Sequence, residues 1–273
     1  MSKFLQKCNT WALGAITIIF TFVPESCFSQ CKLLEKCSNE ANIILNRLLT
    51  YIVVFALSAL FNFLYIYFRK KITIKGTNYN IQIKYGDLLQ SNDCKKVISF
   101  DECFTTSVGA APSDVNANSV CGQFLQEHPL SAQEMQLLIE NAHLKPERSK
   151  SKFQGKVRYE SGKLVPYNDF LLMSFAKLNE SGSGEMTRDE FLDCLSILWT
   201  EIEKYYGQED VCIPILGSGV THMGDESLTQ QKLLDIIIES YKLSAHKMKH
   251  PCQLHIICKE SEGFSLNRIG ETL

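Results

Sequence analysis

An uncharged apolar run, LLTYIVVFALSALFNFLYIYF, constrains this chain more than any other feature, and it extends from Leu48 to Phe68. As an α-helix of 21 residues it is long enough to cross about 30 Å of hydrocarbon. A core helix of a soluble protein is rarely apolar on every face, so the run predicts a membrane span. Its amide residue, Asn62, is expected either to bond a neighbouring helix or to reach the lipid headgroups.

The residues that follow the run predict its orientation. Arg69, Lys70 and Lys71 come directly after it. Because Lys and Arg beside a span are retained on the cytoplasmic side, the remainder of the chain is expected in the cytoplasm.

A shorter apolar stretch, TWALGAITIIFTFV, precedes the long run. It is either the first helix of a membrane hairpin or the apolar core of a signal peptide. No small-residue cleavage site is evident before Glu25, which favours the hairpin. The predicted organisation is a multi-pass membrane hairpin over residues 1–71, with spans at about 10–24 and 48–68, followed by a cytoplasmic domain over residues 72–273.

The 11 cysteines divide between the two parts. Cys27, Cys31 and Cys37 fall in the loop predicted outside the membrane, and the sequence does not specify whether any of them pair. The seven inner cysteines have no CxxC spacing and are expected to be reduced and mostly buried, forming neither a zinc site nor a disulfide framework. They are Cys94, Cys103, Cys121, Cys194, Cys212, Cys252 and Cys258. The net charge of −2 gives no indication of nucleic-acid binding.

Past residue 71 short apolar runs alternate with amphipathic stretches, which predicts a layered α/β domain with helices on both faces of a sheet. Capping-box pairs begin two of the helices, Ser131 with Glu134 and Thr187 with Glu190. The predicted elements are two short strands in ITIKGTNYNIQIKYGDLL, a strand in KKVISF, helices at about 118–127 and 131–142, a basic loop or hairpin at 145–163, a strand in YNDFLLMSFAKL, a helix at about 188–206, a strand in VCIPIL, a helix at about 228–246 and a strand in CQLHIIC.

Residues 179–190, NESGSGEMTRDE, nearly match a calcium-binding loop, with Gly184 at the sixth place and Glu190 at the twelfth. The first, third and fifth places are Asn179, Ser181 and Ser183, so the carboxylates that offset a divalent charge are missing. This segment is therefore predicted to be a turn and a helix cap, and no metal site is predicted.

The stretch VCIPILGSGVTHMG is the main candidate for a binding loop. A strand is predicted to end at Leu216, and Gly217 and Gly219 allow the backbone to turn with its amides exposed. Such a nest of amides suits a diphosphate. By itself the pattern is weak, because it matches neither GxGxxG nor GxxxxGK[ST], and a purely structural turn remains the alternative.

Three motifs in order, IKYGDLLQ, FDECFTTSVG and IPILGSGV, resemble a macro domain, a module that binds ADP-ribose and related nucleotides. More closely, VNANSVCGQF, FLLMSFAKLNESGSGEMTRDEFLDCLSILWTEI and IPILGSGVTHMG, together with the membrane segment, resemble the Thoeris anti-phage defence effectors that carry a divergent macro domain. The resemblance covers nearly the whole chain, about residues 72–273 for the domain, and implies a location in the bacterial inner membrane with the macro domain in the cytoplasm. It implies a three-layer α/β macro-like domain with a mixed sheet, preceded by a two-helix transmembrane segment.

The resemblance also implies where a nucleotide binds. Asp87 matches the residue that holds the adenine amino group, with Leu88 beside it, and Phe100 and Asp101 match the opposite wall. The residues that match the diphosphate loop are Gly217, Ser218, Gly219 and Val220, followed by Thr221 and His222 near the distal ribose or its substituent. For His222, an exposed loop histidine is the simpler interpretation.

One departure from the family pattern bears on catalysis. Hydrolytic macro domains carry an asparagine-rich stretch and a glycine run where this chain reads SFDECFTTSVG. Without them, no group evidently positions an attacking water, so the domain is interpreted as a sensor that needs no cofactor, metal or catalytic residue.

In the family that it resembles, a partner TIR-domain protein consumes NAD and releases an ADP-ribose-derived second messenger. The leading hypothesis is that binding of this messenger, an amino-acid conjugate of ADP-ribose or a cyclic ADP-ribose isomer, drives homo-oligomerisation, disrupts the lipid bilayer and ends infection by killing the cell. The alternatives are a membrane-anchored ADP-ribosyl hydrolase, with Asp101 or His222 as the base, and an inert scaffold.

Overall fold

A computed structural model describes residues 2–29, 38–111, 113–219, 221–224 and 228–270. The chain divides into two compact units, Met1–Arg69 and Lys70–Leu273. The division falls two residues before the boundary proposed from the sequence, because the first strand begins at Lys71. Cys31, Cys37 and Val220 lie outside the described residues.

The first unit consists of three helices, α1 (Ser2–Phe22), α2 (Glu25–Ser29) and α3 (Asn39–Tyr67). Helix α3 begins nine residues before the predicted span, where the Ser38 side chain accepts a hydrogen bond from the Ala41 N–H. Within the described residues, α3 is the one helix that is long and apolar enough to cross a membrane, with a mean hydropathy of 2.1. Helix α1 covers most of the other predicted span but does not meet the same criterion, so the composition of the helices does not establish a two-span hairpin.

Polar groups lie between the helices of this unit. The Tyr51 hydroxyl donates to Asn9 Oδ1 at 2.6 Å, and the Ser58 hydroxyl donates to the Cys8 carbonyl at 3.0 Å. Asn46 Nδ2 donates to the Phe28 carbonyl at 2.6 Å. Asn62 instead donates to the Ser58 carbonyl of its own helix at 2.9 Å, so this donor bond does not require a neighbouring helix.

The second unit is built on a mixed eight-stranded sheet. The strands are β1 (Lys71–Lys75), β2 (Asn80–Tyr85), β3 (Cys94–Asp101), β4 (Leu164–Tyr167), β5 (Phe170–Leu178), β6 (Gly184–Glu185), β7 (Asp210–Pro214) and β8 (Leu254–Cys258). Their order is β1-β2-β8-β7-β3-β5-β4, and β6 pairs with β5. The five central strands, from β2 to β5, are parallel, whereas β1, β4 and β6 pair antiparallel to their neighbours.

Helices cover both faces of the sheet, as predicted. Neighbouring strand residues face opposite layers, so Val97 packs with α6 (Arg188–Tyr205) and α7 (Gln230–Leu243), whereas Ile98 packs with α4 (Val120–Glu127) and α5 (Ala132–Asn141). A short 3₁₀ turn, Leu266–Arg268, follows β8. The layered α/β architecture and its mixed sheet are confirmed.

The helix starts predicted from capping boxes are also confirmed. Ser131 and Thr187 each accept a bond from the backbone N–H of the glutamate three residues later, and each glutamate side chain returns a bond to the cap backbone. Asn179 Oδ1 accepts the backbone N–H groups of Ser181 and Ser183 at 3.0 Å each. The near match to a calcium loop is thus a turn held by an amide side chain.

One expectation about the cysteines was wrong. Cys94 in β3 and Cys212 in β7 form a disulfide, with their Cα atoms 6.2 Å apart. The two residues are separated by 118 positions in the sequence and become neighbours only because β3 and β7 pair. Spacing along the chain therefore gives no sign of this pair. The other five inner cysteines are free, as is Cys27. No cluster of possible metal ligands occurs among the residues for which coordinates are described.

Candidate functional site

A cavity of about 950 Å³ lies at the carboxyl ends of the parallel strands. The residues that end or follow five strands line it: Gly86 and Leu88 after β2, Phe100 and Asp101 in β3, Ala176 and Leu178 in β5, Ile215 to Gly219 after β7, and Ile257 and Lys259 at the end of β8. Ligands in open α/β sheets bind at this edge, because the chain turns from strands into loops and helix starts there. This cavity is the candidate nucleotide site.

The loop after β7 forms one wall. Gly217 has a φ of +78°, a conformation that favours glycine, and a Cβ atom there would lie 3.1 Å from Met223 Sδ. The Ser218 hydroxyl donates to the Ile215 carbonyl at 2.6 Å, which closes the turn on itself. Gly219 has no left-handed φ and nothing within 4 Å of an added Cβ. The turn therefore depends on Gly217, whereas Gly219 leaves open space beside its backbone.

The end of this loop is fixed to a short strand. The His222 N–H donates to the Gly184 carbonyl at 2.9 Å, and the Met186 N–H donates to the His222 carbonyl at 2.9 Å. His222 is exposed at the cavity, and Thr221 lines it. His222 is therefore held in place by β6, whose Gly184 also lines the cavity.

A second loop, described at residues 107–111 and 113–119, also lines the cavity. A parallel bridge pairs Val108 with Val115, and the Asp114 carboxylate accepts the Ser107 hydroxyl at 3.0 Å and the Ala111 N–H at 3.3 Å. The loop leads into α4, where the Ser119 hydroxyl caps the helix by accepting the Gly122 N–H at 3.0 Å. The first turn of α4 thus opens onto the cavity with backbone N–H groups, an arrangement that favours anions.

Gly122 allows this loop to lie against the helix. A Cβ atom at Gly122 would collide with the Asn116 carbonyl oxygen and would lie 2.8 Å from the Ala117 Cα. Both contacts are with backbone atoms, which cannot turn aside as a flexible side chain does. The position of Asn116 and Ala117 in the cavity wall therefore requires glycine at this place in α4.

The Asp101 carboxylate lies in the wall but is directed at its own loop. Its Oδ1 accepts the Cys103 N–H at 2.7 Å and the Thr105 N–H at 3.3 Å. Burial raises the pKa of Asp101 above its ordinary value, although bonds from Thr105 and Cys103 oppose the shift. Its main visible role is to shape the turn after β3.

The residue after Asp101 fastens this wall to the interior. Glu102 is 2% exposed, and its Oε1 accepts the Ser151 hydroxyl at 2.5 Å and the Leu178 N–H at 3.2 Å. Its Oε2 lies 3.4 Å from Arg158 Nη1. Glu102 thereby joins the end of β3, the end of β5 and the basic loop 145–163.

Most of the residues predicted for the site line this one cavity. They are Leu88, Phe100, Asp101, Gly217, Ser218, Gly219, Thr221 and His222. Asp87 lies between two lining residues, Gly86 and Leu88, but is itself exposed and outside the lining. Its Oδ1 accepts the Leu89 N–H at 3.0 Å, which is the bond of a turn residue. Its assignment to the adenine amino group stays a prediction that rests on its second oxygen.

Sequence reasoning missed several lining residues. Asn116 and Asn118 belong to a DVNANS segment that lines the cavity before α4, although the stretch directly after β3, ECFTTSVG, contains no asparagine. The signal available was the pair of asparagines beside a serine helix cap. Lys259 and Gln230 also line the cavity, at the end of β8 and at the start of α7. They had no motif to identify them.

Replacing Gly217 by alanine is expected to lower the free energy of unfolding by about 1–2 kcal/mol, because a side chain disfavours the left-handed backbone and approaches Met223. Gly219→Ala is the matched control and should leave stability nearly unchanged. The measurement is urea unfolding of both variants in detergent. Equal stability of the two variants would show that the turn tolerates a side chain at Gly217.

Comparison with known proteins agrees with this geometry. Residues 81–259 match the family model described as Thoeris protein ThsA, Macro domain. The Thoeris protein ThsA of Bacillus amyloliquefaciens (strain Y2) is 26% identical over 273 residues, which cover 97% of this chain and 90% of the relative.

Solved structures of the Oceanobacillus iheyensis macrodomain are also similar in part. The complex with ADP has a TM-score of 0.44 at 9% identity, covering 70% of this chain and 89% of that one. The form with MES bound has a TM-score of 0.40 at 12% identity, with coverage of 70% and 89%.

The family model covers well over half of the chain, from β2 to just past the end of β8. Its match includes both walls of the cavity, and Thoeris proteins act against phages. The chain therefore belongs to the Thoeris ThsA macro-domain family, which supports a role in anti-phage defence.

Proposed function

We propose that this chain is a membrane-anchored defence effector whose cytoplasmic macro domain binds an ADP-ribose-derived second messenger. The observation that carries the proposal is a cavity lined by a glycine turn, a helix start and an apolar wall. A nucleotide that carries a diphosphate needs all three.

The apolar part of the cavity suits the adenine. Leu88, Phe100, Cys121 and Ile257 line it and belong to the buried cluster beneath α4 and α5. A purine ring gains free energy when it leaves water for such a surface. Asp87, next to Leu88, keeps one carboxylate oxygen that can accept from the exocyclic amine of the base.

The polar part suits the diphosphate. The turn at Gly217 to Gly219 and the first turn of α4 both line the cavity. Backbone N–H groups at such turns bind phosphate oxygens without a dedicated cation. His222 and Thr221 also line the cavity, and we expect them to contact the distal ribose or a group attached to it.

The distribution of polar atoms in the first unit supports a membrane location for both α1 and α3. Large apolar side chains face outward, such as Trp11 at 66%, Phe22 at 79% and Phe61 at 70% exposure. Asn42, at 2% exposure, and the bonds made by Tyr51 and Ser58 lie inside. A helix pair in hydrocarbon needs this arrangement, because polar groups there must find protein partners.

The charges of the first unit support a cytoplasmic position for the macro domain. The Lys7 ammonium lies 5.7 Å from the centre of the Tyr65 ring, so the start of α1 is beside the end of α3. Lys7 and Arg69 therefore lie at one end of the helix pair, and Lys70 and Lys71 follow Arg69 in the sequence. The positive-inside rule assigns that end to the cytoplasm.

The proposed mechanism is a shift in population. A messenger released by a TIR-domain NAD-consuming partner binds the cavity, and the ligand-bound chain favours a self-associated hairpin that disrupts the inner membrane. A ligand changes such an equilibrium only by its difference in affinity for the two states. The proposal therefore requires that the self-associated state bind the messenger more tightly than the unassociated state does.

The test is a calorimetric titration of the full chain in detergent micelles with ADP-ribose, adenosine and ribose 5-phosphate. We expect ADP-ribose to bind with a much higher affinity than the other two compounds, because only ADP-ribose fills both parts of the cavity. Reconstitution in dye-filled vesicles should then give leakage that depends on the bound nucleotide. Equal, weak binding of all three compounds would contradict the proposal.

The alternative, an ADP-ribosyl hydrolase, is favoured by one observation, the presence of Asn116 and Asn118 in the cavity wall. Amide side chains are able to orient a water near the distal ribose. Release of ADP-ribose from a modified protein by the wild-type chain, and its loss in Asn118→Ala, would support the hydrolase over the sensor.

A further inference from the structure

Charged side chains are scarce in the cavity, and their placement singles out one lysine. Among the described lining residues the carboxylates are Asp101 and Asp114, and both accept bonds from their own loops. The one lysine or arginine side chain among those residues is Lys259. It is exposed, and no ion pair joins it to a described residue.

The topology determines where Lys259 lies. It follows β8, which is hydrogen-bonded to β2 on one side and to β7 on the other. The segments after β2 and β7 are the proposed adenine wall, at Gly86 and Leu88, and the proposed diphosphate turn, at Gly217 to Gly219. Lys259 therefore lies between the two proposed subsites, at the place that the phosphate nearest the adenosine has to occupy.

The backbone of Lys259 is also fixed. Gln230 Nε2, at the start of α7, donates to the Lys259 carbonyl at 3.1 Å, and the Ser261 hydroxyl donates to Gln230 Oε1 at 2.5 Å. The neighbouring Cys258 carbonyl accepts the Gly86 N–H at 3.1 Å. The backbone of Lys259 is thus held beside the cavity, while its side-chain ammonium can move toward a bound ligand.

We infer that Lys259 is a specificity residue that makes binding depend on the phosphate attached to the adenosine. The inference rests on the proposed function and deepens it by naming the charged group that selects nucleotides over nucleosides. A lysine is a compact cation with three donors, so it binds a phosphate as a point charge and its contribution is sensitive to salt.

The test compares adenosine, AMP and ADP-ribose by calorimetry with the full chain in detergent, at about 0.05 M and about 0.3 M NaCl. We expect Lys259→Gln to lower the affinity for AMP and ADP-ribose by about three- to tenfold at low salt, while the affinity for adenosine is unchanged. Lys259→Arg should keep most of the affinity. In Lys259→Gln the loss of affinity at high salt should be smaller than in the wild type.

Lys232→Gln is the matched control, because it removes the same charge. Lys232 is exposed on α7 and does not line the cavity. This variant should bind all three compounds as the wild type does. Normal binding of ADP-ribose by the wild type, with the same affinity and salt dependence in Lys259→Gln, would overturn this inference alone. No binding of ADP-ribose by the wild type would overturn the proposed function and this inference with it.

Discussion

Replacing Glu102 by alanine is expected to lower the free energy of unfolding by about 3–5 kcal/mol, because it leaves two buried donors without their acceptor, at about 1–3 kcal/mol each. The Leu178 N–H and the Ser151 hydroxyl lose their acceptor, and Arg158 keeps Glu147, at 3.3 Å, as its carboxylate partner. Leu178 and the neighbouring Asp101 line the cavity, so nucleotide affinity should fall as well.

The measurement is urea unfolding in detergent, followed by the fluorescence of buried Trp199 in a Trp11→Phe background. Glu102→Gln retains an acceptor for Leu178 and Ser151 and should lose less stability than the alanine variant. Glu147→Ala, which removes the more exposed carboxylate of the same arginine, is the control and should cost about 1 kcal/mol or less. A loss below about 1 kcal/mol in Glu102→Ala would show that the network does not hold the strand ends.

Gly122→Ala is expected to reduce nucleotide affinity at least about tenfold, since the loop that carries Asn116 and Ala117 has to leave its place against α4. Overpacking costs about 1–3 kcal/mol, and the helix preference of alanine recovers up to about 1 kcal/mol. The net loss of stability should therefore be about 3 kcal/mol at most, while the loss of binding is large.

Titration with ADP-ribose and unfolding in urea separate the two effects. Gln126→Ala, on the exposed side of the same helix, controls for the change in helix preference. Unchanged binding by Gly122→Ala would mean that the wall formed by residues 116 and 117 does not contact the nucleotide.

The local pattern of the sequence predicts most of the elements. The alternation near Ile72 and Ile83, the periodicity of α6 and the capping boxes at Ser131 and Thr187 are all local properties, and they place the elements within a few residues. The insertion of β8 between β2 and β7 depends on pairing over more than 40 residues on each side, which no local pattern specifies. The disulfide of Cys94 and Cys212 follows from the same non-local pairing.

The candidate site divides in the same way. A glycine turn after a strand is a local signal, so Gly217 and Ser218 were predicted, and the resemblance supplied Leu88 and Phe100. Asn118 and Lys259 line the cavity because of long-range arrangements. For Asn118 this is the packing of its loop on Gly122, and for Lys259 it is the position of β8 in the sheet. Both glycines were predicted to let the backbone turn. The left-handed φ occurs at Gly217 and not at Gly219, which only the φ angles reveal.

The most direct test of the central claim, that the cavity at the carboxyl ends of the strands binds the nucleotide, is hydrogen–deuterium exchange of the full chain in detergent with and without ADP-ribose. The account predicts slower exchange of the amides at Gly217 to Gly219 and in the first turn of α4, while the edge strand β1 is unchanged. Saturating ADP-ribose that leaves both of these segments unprotected, or protects amides elsewhere instead, would contradict it.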